Sequence, residues 1–60
     1  MTVRERDVAE LAADGMTNKE IAVRLFISVA TVEANLSKVY TKLRLRSRVE
    51  LAARLGHPPR

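Results

Sequence analysis

Residues 17–43 read TNKEIAVRLFISVATVEANLSKVYTKL, and two hydrophobic patterns with the helical period follow one another within them. Thr17 and Glu20 have the spacing of a capping box, in which a hydroxyl and a carboxylate satisfy backbone N–H groups at the start of a helix. Phe26 and Ile27 interrupt the pattern, and Ser28 is a suitable N-cap for a second helix. The segment therefore predicts helices over 18–25 and 29–43 joined by a tight turn, which is a helix-turn-helix.

The longer helix is predicted to bury one continuous apolar stripe. Its members recur at i, i+4, i+7, i+8 and i+11, which is the period of an α-helix. They are Val32, Leu36, Val39, Tyr40 and Leu43. Ile21, Ala22 and Leu25 form the facing side of the shorter helix, where the small Ala22 allows close approach. We expect Ile27 to fill the turn and Val32 to be buried where the two helices cross.

Each flank of this segment predicts one further helix, over about 3–14 and 48–55. Thr2 with Glu5, and Ser47 with Glu50, repeat the capping-box spacing. Gly15 ends the first helix, and the sequence Gly-His-Pro-Pro from residue 56 ends the fourth. The chain is therefore predicted to be one all-α, four-helix bundle-like domain over residues 1–60, with the helix-turn-helix at its centre.

The composition narrows the possible classes of function. Hydrophobic residues make up 47% of the sequence but aromatic residues only 3%, so the core must be aliphatic. There is no cysteine, and the only histidine, His57, lies in the C-terminal tail, which favours neither a metal site, nor a cofactor, nor an enzyme. No apolar run approaches the ~20 residues that span a membrane, and residues 1–7 lack the apolar core of a signal peptide. We expect a cytoplasmic, non-enzymatic domain without a small-molecule ligand.

Positive charge is concentrated in the C-terminal half of the chain. The net charge is +4, but residues 1–27 contain four basic and five acidic residues, whereas residues 28–60 contain seven basic and two acidic residues. Such asymmetry favours a polyanionic partner for the half that begins with the longer helix. A solubilising surface would show the same excess, so charge alone leaves both interpretations open.

Several short motifs appear in a fixed order along the chain. They are Arg4-Glu5, Gly15, Asn18-Lys19-Glu20-Ile21-Ala22, Ile27-Ser28, Thr31-Val32, Lys42-Leu43 and Ser47-Arg48. In this order, over about residues 2–55, they resemble the LuxR-type DNA-binding domain, also called the FixJ or NarL type. The resemblance implies sequence-specific binding of double-stranded DNA by the output domain of a bacterial transcriptional regulator, with the longer helix in the major groove. The position of the first cap, at the second residue, suggests the C-terminal part of a longer regulator, and a free-standing small regulator is the alternative.

The resemblance also assigns the positions that contact DNA. Base-reading positions lie opposite the apolar stripe, where slim side chains suit the major groove, and they carry Glu33, Ala34 and Ser37. The positions that meet the DNA backbone carry Asn18, Lys19, Thr31, Asn35, Lys38, Lys42, Arg46 and Arg48. The last three are expected to form a basic cluster beside the longer helix.

Several positions leave alternatives open. Glu33 stands where many relatives have a cation; it either accepts a hydrogen bond from cytosine N4 or stays in solvent, paired with the lysine at position 38 or with the start of its helix. Arg44 stands where many relatives have glycine, so it either adopts that turn or lets the helix continue. Phe26 is expected to pack in the turn rather than to anchor a partner. Arg4 and Glu5 are expected to cap the first helix and form a salt bridge rather than to contact DNA.

The fourth helix carries an apolar arc of about 200°, wider than one surface helix needs. The resemblance implies a homodimer contact through this helix, in solution or only on DNA, and Leu51 and Leu55 are the candidates. The alternative is that one monomer buries the whole arc. Two other functions remain open as well: a helical protein-interaction module that has lost DNA binding, and promoter recognition like that of a sigma factor.

Overall fold

The computed structural model describes residues 1–56, and His57, Pro58 and Pro59 of the predicted stop lie outside the described residues. Within residues 1–56 there are four α-helices, which are α1 (Val3–Ala13), α2 (Asn18–Leu25), α3 (Val29–Leu43) and α4 (Arg48–Arg54). The predicted all-α fold, with α2 and α3 as its helix-turn-helix, is therefore confirmed. No helix in this range combines the length and the apolar character that crossing a membrane requires.

Two of the three predicted capping boxes are complete. The Thr2 hydroxyl accepts a hydrogen bond from the Glu5 N–H at 3.1 Å, and the Glu5 carboxylate accepts one from the Thr2 N–H at 3.0 Å. Thr17 and Glu20 repeat this geometry at the start of α2, at 3.1 and 2.8 Å. The starts of α1 and α2 are thus fixed by bonds that span three residues.

The third capping box, predicted at Ser47 and Glu50, is only half formed. Ser47 Oγ accepts a hydrogen bond from the Glu50 N–H at 3.3 Å, but the Glu50 carboxylate accepts one from the N–H of Arg46, at 2.8 Å, instead of that of Ser47. Ser47 has φ −152°, whereas Thr2 and Thr17 have φ −74° and −73°. This rotation turns the Ser47 N–H away from the carboxylate, which corrects the prediction.

The first three helices end in the same way, with a left-handed residue after the last turn. Gly15 has φ 97°, and Phe26 and Arg44 both have φ 57°. In each case the following N–H bonds a carbonyl five residues earlier, at 3.2, 3.0 and 2.8 Å, which is the Schellman arrangement. Arg44 therefore takes the turn rather than extending α3. The left-handed conformation costs a residue with a Cβ roughly 1–2 kcal/mol, a cost that glycine avoids.

The core is aliphatic, as predicted, and each helix contributes to it. The largest side chains with no exposed surface are Val8, Ile21, Val32, Val39 and Leu51. α1 packs against the other three helices, and α2 packs against α3. The predicted burial of the α3 stripe is confirmed at its first three members, and Tyr40 and Leu43 are partly buried against the same core. The opposite side of α3 consequently faces outward.

Candidate nucleic-acid interface

The outward side of α3 is made of small and polar side chains. Glu33, Ala34 and Ser37, the predicted base-reading residues, are all exposed, and so is Lys38. At the helical period these residues lie opposite the buried stripe that begins at Val32. One side of α3 therefore packs on the core and the other side is exposed. A helix with slim residues at this point can approach base edges without a clash.

Hydrogen bonds fix the polar side chains at the start of α3. Ser28 Oγ accepts a bond from the Thr31 N–H at 3.0 Å and lies 2.9 Å from Thr31 Oγ1. Asn35 Nδ2 donates to the Thr31 carbonyl oxygen at 2.8 Å. Thr31 is exposed and Asn35 is half-buried. Both predicted backbone-contacting residues are thus held in defined orientations at the edge of the exposed face.

The Glu33 carboxylate is exposed to solvent, and among the described residues no hydrogen bond or ion pair engages it. The pairing with Lys38 that the sequence left open does not form, because residues five apart do not face each other on a helix. Glu33 also lies beyond the first turn of α3, so it does not cap the helix start. The carboxylate is therefore available to a ligand.

The start of α2 carries the two other predicted contacts, Asn18 and Lys19. Lys19 is exposed, whereas Asn18 is half-buried and accepts a hydrogen bond through Oδ1 from the Arg48 guanidinium. Two backbone N–H groups at this end, those of Thr17 and Glu20, are already bonded within the capping box. The hydrogen bonds from the Thr17 backbone and side chain hold the pKa of the Glu20 carboxyl below its ordinary value. The helix end thus keeps its cation exposed, but part of its anion-binding capacity is used internally.

Arg48 was predicted to contact phosphate, but the structure turns its guanidinium toward the loop between α1 and α2. Besides Asn18, it donates to the Met16 carbonyl oxygen at 2.8 Å. These bonds join the start of α4 to the start of α2, across 30 and 32 residues of sequence. Arg48 therefore holds the helix-turn-helix against α4.

Lys42, another member of the predicted basic cluster, also has an internal partner. Its Nζ lies 2.7 Å from Glu5 Oε1, and Glu5 is buried, with 4% of its surface exposed. The Lys42 ammonium and the hydrogen bond from the Thr2 backbone lower the pKa of the Glu5 carboxyl, and Lys38 adds to the effect. The expected helix cap at Glu5 is therefore confirmed. The expected surface salt bridge of Arg4 and Glu5 is corrected, because the buried Glu5 carboxylate pairs with Lys42 and Arg4 donates to the Leu25 carbonyl oxygen at 3.4 Å.

The basic cluster predicted beside α3 is consequently divided. Lys42 and Arg48 bond groups on α1, on the loop before α2 and on α2. Arg46 is exposed, and it is bonded through its backbone N–H rather than its guanidinium. Arg44, which was not assigned a contact, is exposed at the end of α3. Lys42 is itself partly exposed, but the exposed side chains of this region that bond no other group among the described residues are those of Arg44 and Arg46.

The apolar arc of α4 is also divided between the core and the surface. Leu51, predicted to contact a second copy, is fully buried within the monomer, and Leu55 is half-buried against the same core. The prediction for Leu51 is therefore wrong, because α1 covers this side of α4. The exposed apolar side chains of α4 are Val49, at 73% exposure, and Ala53, one turn further on.

Phe26 does not pack in the turn between α2 and α3, contrary to expectation. Its surface is 95% exposed. As the left-handed residue after α2, it has a backbone direction that points its side chain away from the core. Ile27, the next residue, packs against the core and fills the turn as predicted.

The family model for bacterial regulatory proteins of the luxR family matches residues 1–55 of this chain. The chain belongs to the luxR family. This agrees with the resemblance that the motifs indicate. The exposed side of α3 therefore belongs to a domain of a family of bacterial regulatory proteins.

Two of the proteins to which this chain is similar are named as regulators. "Putative HTH-type transcriptional regulator Rv0890c" of Mycobacterium tuberculosis is 52% identical over 61 aligned residues, which cover 97% of this chain and 7% of that protein. "Oxygen regulatory protein NreC" of Staphylococcus aureus is 49% identical over 51 residues, which cover 85% of this chain and 24% of that protein. The chain thus spans less than a quarter of the length of these relatives.

Proposed function

We propose that this luxR-family domain is the DNA-binding output domain of a longer, cytoplasmic transcriptional regulator without enzymatic activity, and that α3 enters the major groove of double-stranded DNA. The observation that carries the proposal is the two-sided construction of α3. Its inner side is fully buried at Val32 and Val39, and its outer side presents the unpaired Glu33 beside the small Ala34 and Ser37. The recognition helix of a helix-turn-helix requires such a rigid outer side, because its N-terminal half must reach base edges.

Base discrimination rests on Glu33 in this proposal. A carboxylate is an acceptor only, and the cytosine N4 amino group is the donor that it suits in the major groove. Ala34 leaves room for contact with a thymine methyl group, and Ser37 can donate to or accept from a base edge. A C·G pair in each half-site is the expected result.

Contacts with the DNA backbone fall to residues at the edges of the outer side. In the predicted set, Lys19, Thr31, Lys38 and Arg46 are exposed, and Asn35 is half-buried at the edge of the outer side. Asn18, Lys42 and Arg48 serve mainly to hold the helices together, since each side chain is bonded inside the domain. Cations that hold the fold still contribute to the positive field around DNA.

We propose that two copies of the domain bind an inverted repeat as a homodimer, and that the exposed apolar side of α4 forms the contact between them. Val49 and Ala53 lie one turn apart on that side, whereas Leu55, the other residue predicted for this contact, is half-buried against the core. The patch is small compared with the ~1,200 Å² that a stable interface buries, so two copies would pair on DNA rather than in solution. Half-sites would lie about one helical turn apart.

A second candidate, a helical protein-interaction module, is favoured by one observation. Phe26 and Val23 are 95% and 70% exposed, and they lie close together in sequence at the end of α2. An aromatic side chain exposed to this extent suits a protein partner.

Binding to random-sequence duplex DNA at low salt separates the two candidates. The proposed function predicts binding whose affinity falls steeply as salt rises, because counterions are released from the phosphates. An absence of binding at the lowest salt would refute it and leave the interaction module. Selection from random duplexes then gives the operator, and Glu33→Gln should relax the preference for cytosine at one position per half-site, a preference worth about 1–3 kcal/mol.

A further inference from the structure

An open groove of about 450 Å³ lies at the C-terminal end of α3. Its walls come from the last two turns of the helix and from the residues that lead to α4. They are Ser37, Tyr40, Thr41, Arg44, Leu45 and Arg46. The groove therefore continues the outer side of α3, since Ser37 belongs to both.

The polar groups of this groove suit an anion. Arg44 and Arg46 bring two guanidinium groups, and Tyr40 brings a hydroxyl that can donate a hydrogen bond. Within the described part of the chain, none of the residues that line the groove is acidic. The Glu50 carboxylate accepts the Arg46 backbone N–H and leaves that guanidinium to solvent. A guanidinium binds two phosphate oxygens at once, which an ammonium does not do as well.

Arg44 adopts a backbone conformation that favours glycine. Its φ of 57° is one that glycine adopts without cost, yet an arginine occupies the position. The side chain is exposed, so no packing inside the domain offsets the strain. The Schellman bond from the Leu45 N–H to the Tyr40 carbonyl oxygen holds this conformation, as the matching bond does at Phe26, so glycine at position 44 would keep the turn.

The spacing along α3 matches the dimensions of DNA. Ser37 and Thr41 lie one turn apart on one side of α3, and Arg44 is the left-handed residue that follows the last turn. At 1.5 Å per residue, Ser37 and Arg44 are separated by about 10 Å along the axis. The major groove is about 12 Å wide, so a helix with Ser37 among the bases brings Arg44 to the backbone that borders the groove.

We propose that Arg44 and Arg46, with the Tyr40 hydroxyl, bind one or two backbone phosphates of DNA in this groove. The proposal rests on the proposed function and deepens it. It transfers the main sequence-independent contact from Lys42 and Arg48, which are bonded inside the domain, to Arg44 and Arg46. Arg44 and Tyr40 are not among the residues that the sequence predicts to contact DNA.

The test is the salt dependence of binding to random-sequence duplex, measured for the full 60-residue chain. Each phosphate contact that is lost lowers the slope of log K against log salt by roughly 0.9. Arg44→Gly and Arg46→Gln should each lower it by about that amount, and Tyr40→Phe should weaken binding with little change in slope. Arg44→Gly is the sharper variant, because glycine relieves the strain at this φ and the melting temperature should stay equal or rise. Reduced binding by a domain that is no less stable cannot result from unfolding.

Arg6→Gln is the matched control, because Arg6 is an exposed cation on α1, away from the groove. A slope near that of the unmodified chain is expected for this control. If Arg44→Gly and Arg46→Gln keep the original slope, or if Arg6→Gln lowers it equally, the groove is not a phosphate site, while the proposed function stands. If the unmodified chain binds no duplex at any salt concentration, both proposals are overturned.

Discussion

Four cations occupy every second position from 42 to 48, and they divide into two pairs with different environments. Lys42 and Arg48 point inward to partners on α1 and α2 and on the loop that joins them, whereas Arg44 and Arg46 line an open groove at the end of α3. The difference shows that closeness to a recognition helix does not by itself make a cation a DNA contact. A cation that already bonds a buried carboxylate or a carbonyl oxygen stabilises the fold, and the cations without such partners remain for the ligand.

The largest effect on stability is expected for Val32→Ala, a substitution on the inner side of α3. Val32 is fully buried, and truncating a buried aliphatic side chain costs on the order of 1–4 kcal/mol. The total free energy of unfolding of a domain of this size is only a few kcal/mol. Thermal melting should therefore show a strongly lowered midpoint. Ser37→Ala, on the outer side, is the control and should keep the midpoint while it weakens DNA binding; an unchanged midpoint for Val32→Ala would contradict the assignment.

Arg48→Ala sharpens the comparison between the two pairs. It removes two hydrogen bonds from a charged donor, so the free energy of unfolding should fall by about 2 kcal/mol. The slope of log K against log salt, measured where the variant is folded, should remain that of the unmodified chain. Arg46→Ala should give the opposite result, with a similar midpoint and a slope lower by roughly 0.9. Equal slopes and equal midpoints for the two variants would remove the distinction between the pairs.

The side chains of α4 are also divided between those that face the core and those that face solvent. Val49→Glu tests the side of α4 that faces solvent. A carboxylate placed in the proposed contact between two copies should weaken binding to a duplex with two half-sites by about tenfold, or about 1.4 kcal/mol. Binding to a single half-site should hardly change, because Val49 is exposed in the monomer. Glu50→Ala would disturb the helix cap, so Arg54→Glu on the same helix is the better control. Equal losses on both duplexes would exclude a contact between copies at Val49.

The smallest effect concerns the Glu5–Lys42 pair, and it appears as a pH dependence. The folded domain holds the pKa of Glu5 below its ordinary value of 4.5, chiefly through Lys42. The pair therefore stabilises the fold fully above that ordinary value, and this stabilisation is lost as the pH falls through the lowered pKa. Lys42→Met should flatten the fall in melting temperature that accompanies acidification below the ordinary pKa of Glu5.

Solvent screens the half-exposed Lys42, which keeps the effect modest. Glu20→Gln provides a comparison, because the pKa of Glu20 is lowered by local capping bonds alone. It should reduce the acid sensitivity of the domain without involving α3. An acid profile of Lys42→Met that coincides with that of the unmodified chain would show that Lys42 does not stabilise the Glu5 carboxylate.

Local patterns predicted most of the fold. The starts of α1 and α2 depend on bonds between residues three apart, and the buried side of α3 depends on a period of 3.6 residues, so both can be seen in the sequence. For the end of α3 the sequence allowed two alternatives, a turn at Arg44 or a longer helix. Arginine intrinsically disfavours the left-handed conformation that Arg44 adopts, so the sequence could not decide between them. At Ser47, one rotated φ was enough to change which N–H the Glu50 carboxylate accepts.

The candidate site was predicted less completely, since its residues depend on partners distant in sequence. The bonds of Lys42 to Glu5 and of Arg48 to Met16 join residues 37 and 32 positions apart, and no periodicity reveals them. Leu51 and Val49 both belong to the apolar arc of α4, and only the position of α1 determines which of them is covered. The groove at Arg44 likewise requires the turn after α3 to exist before its lining residues meet.

Tyr40 gives the domain an intrinsic optical probe at the most informative place. The chain contains no tryptophan and a single tyrosine, so its ultraviolet fluorescence comes essentially from one ring. That ring is half-buried against the core on one side and lines the groove with Arg44 and Arg46 on the other. Unfolding of the core and binding of an anion in the groove would therefore both change the emission of Tyr40. Inorganic phosphate does not absorb in this range, so titrating it into the folded domain would report anion binding separately from unfolding, without a label.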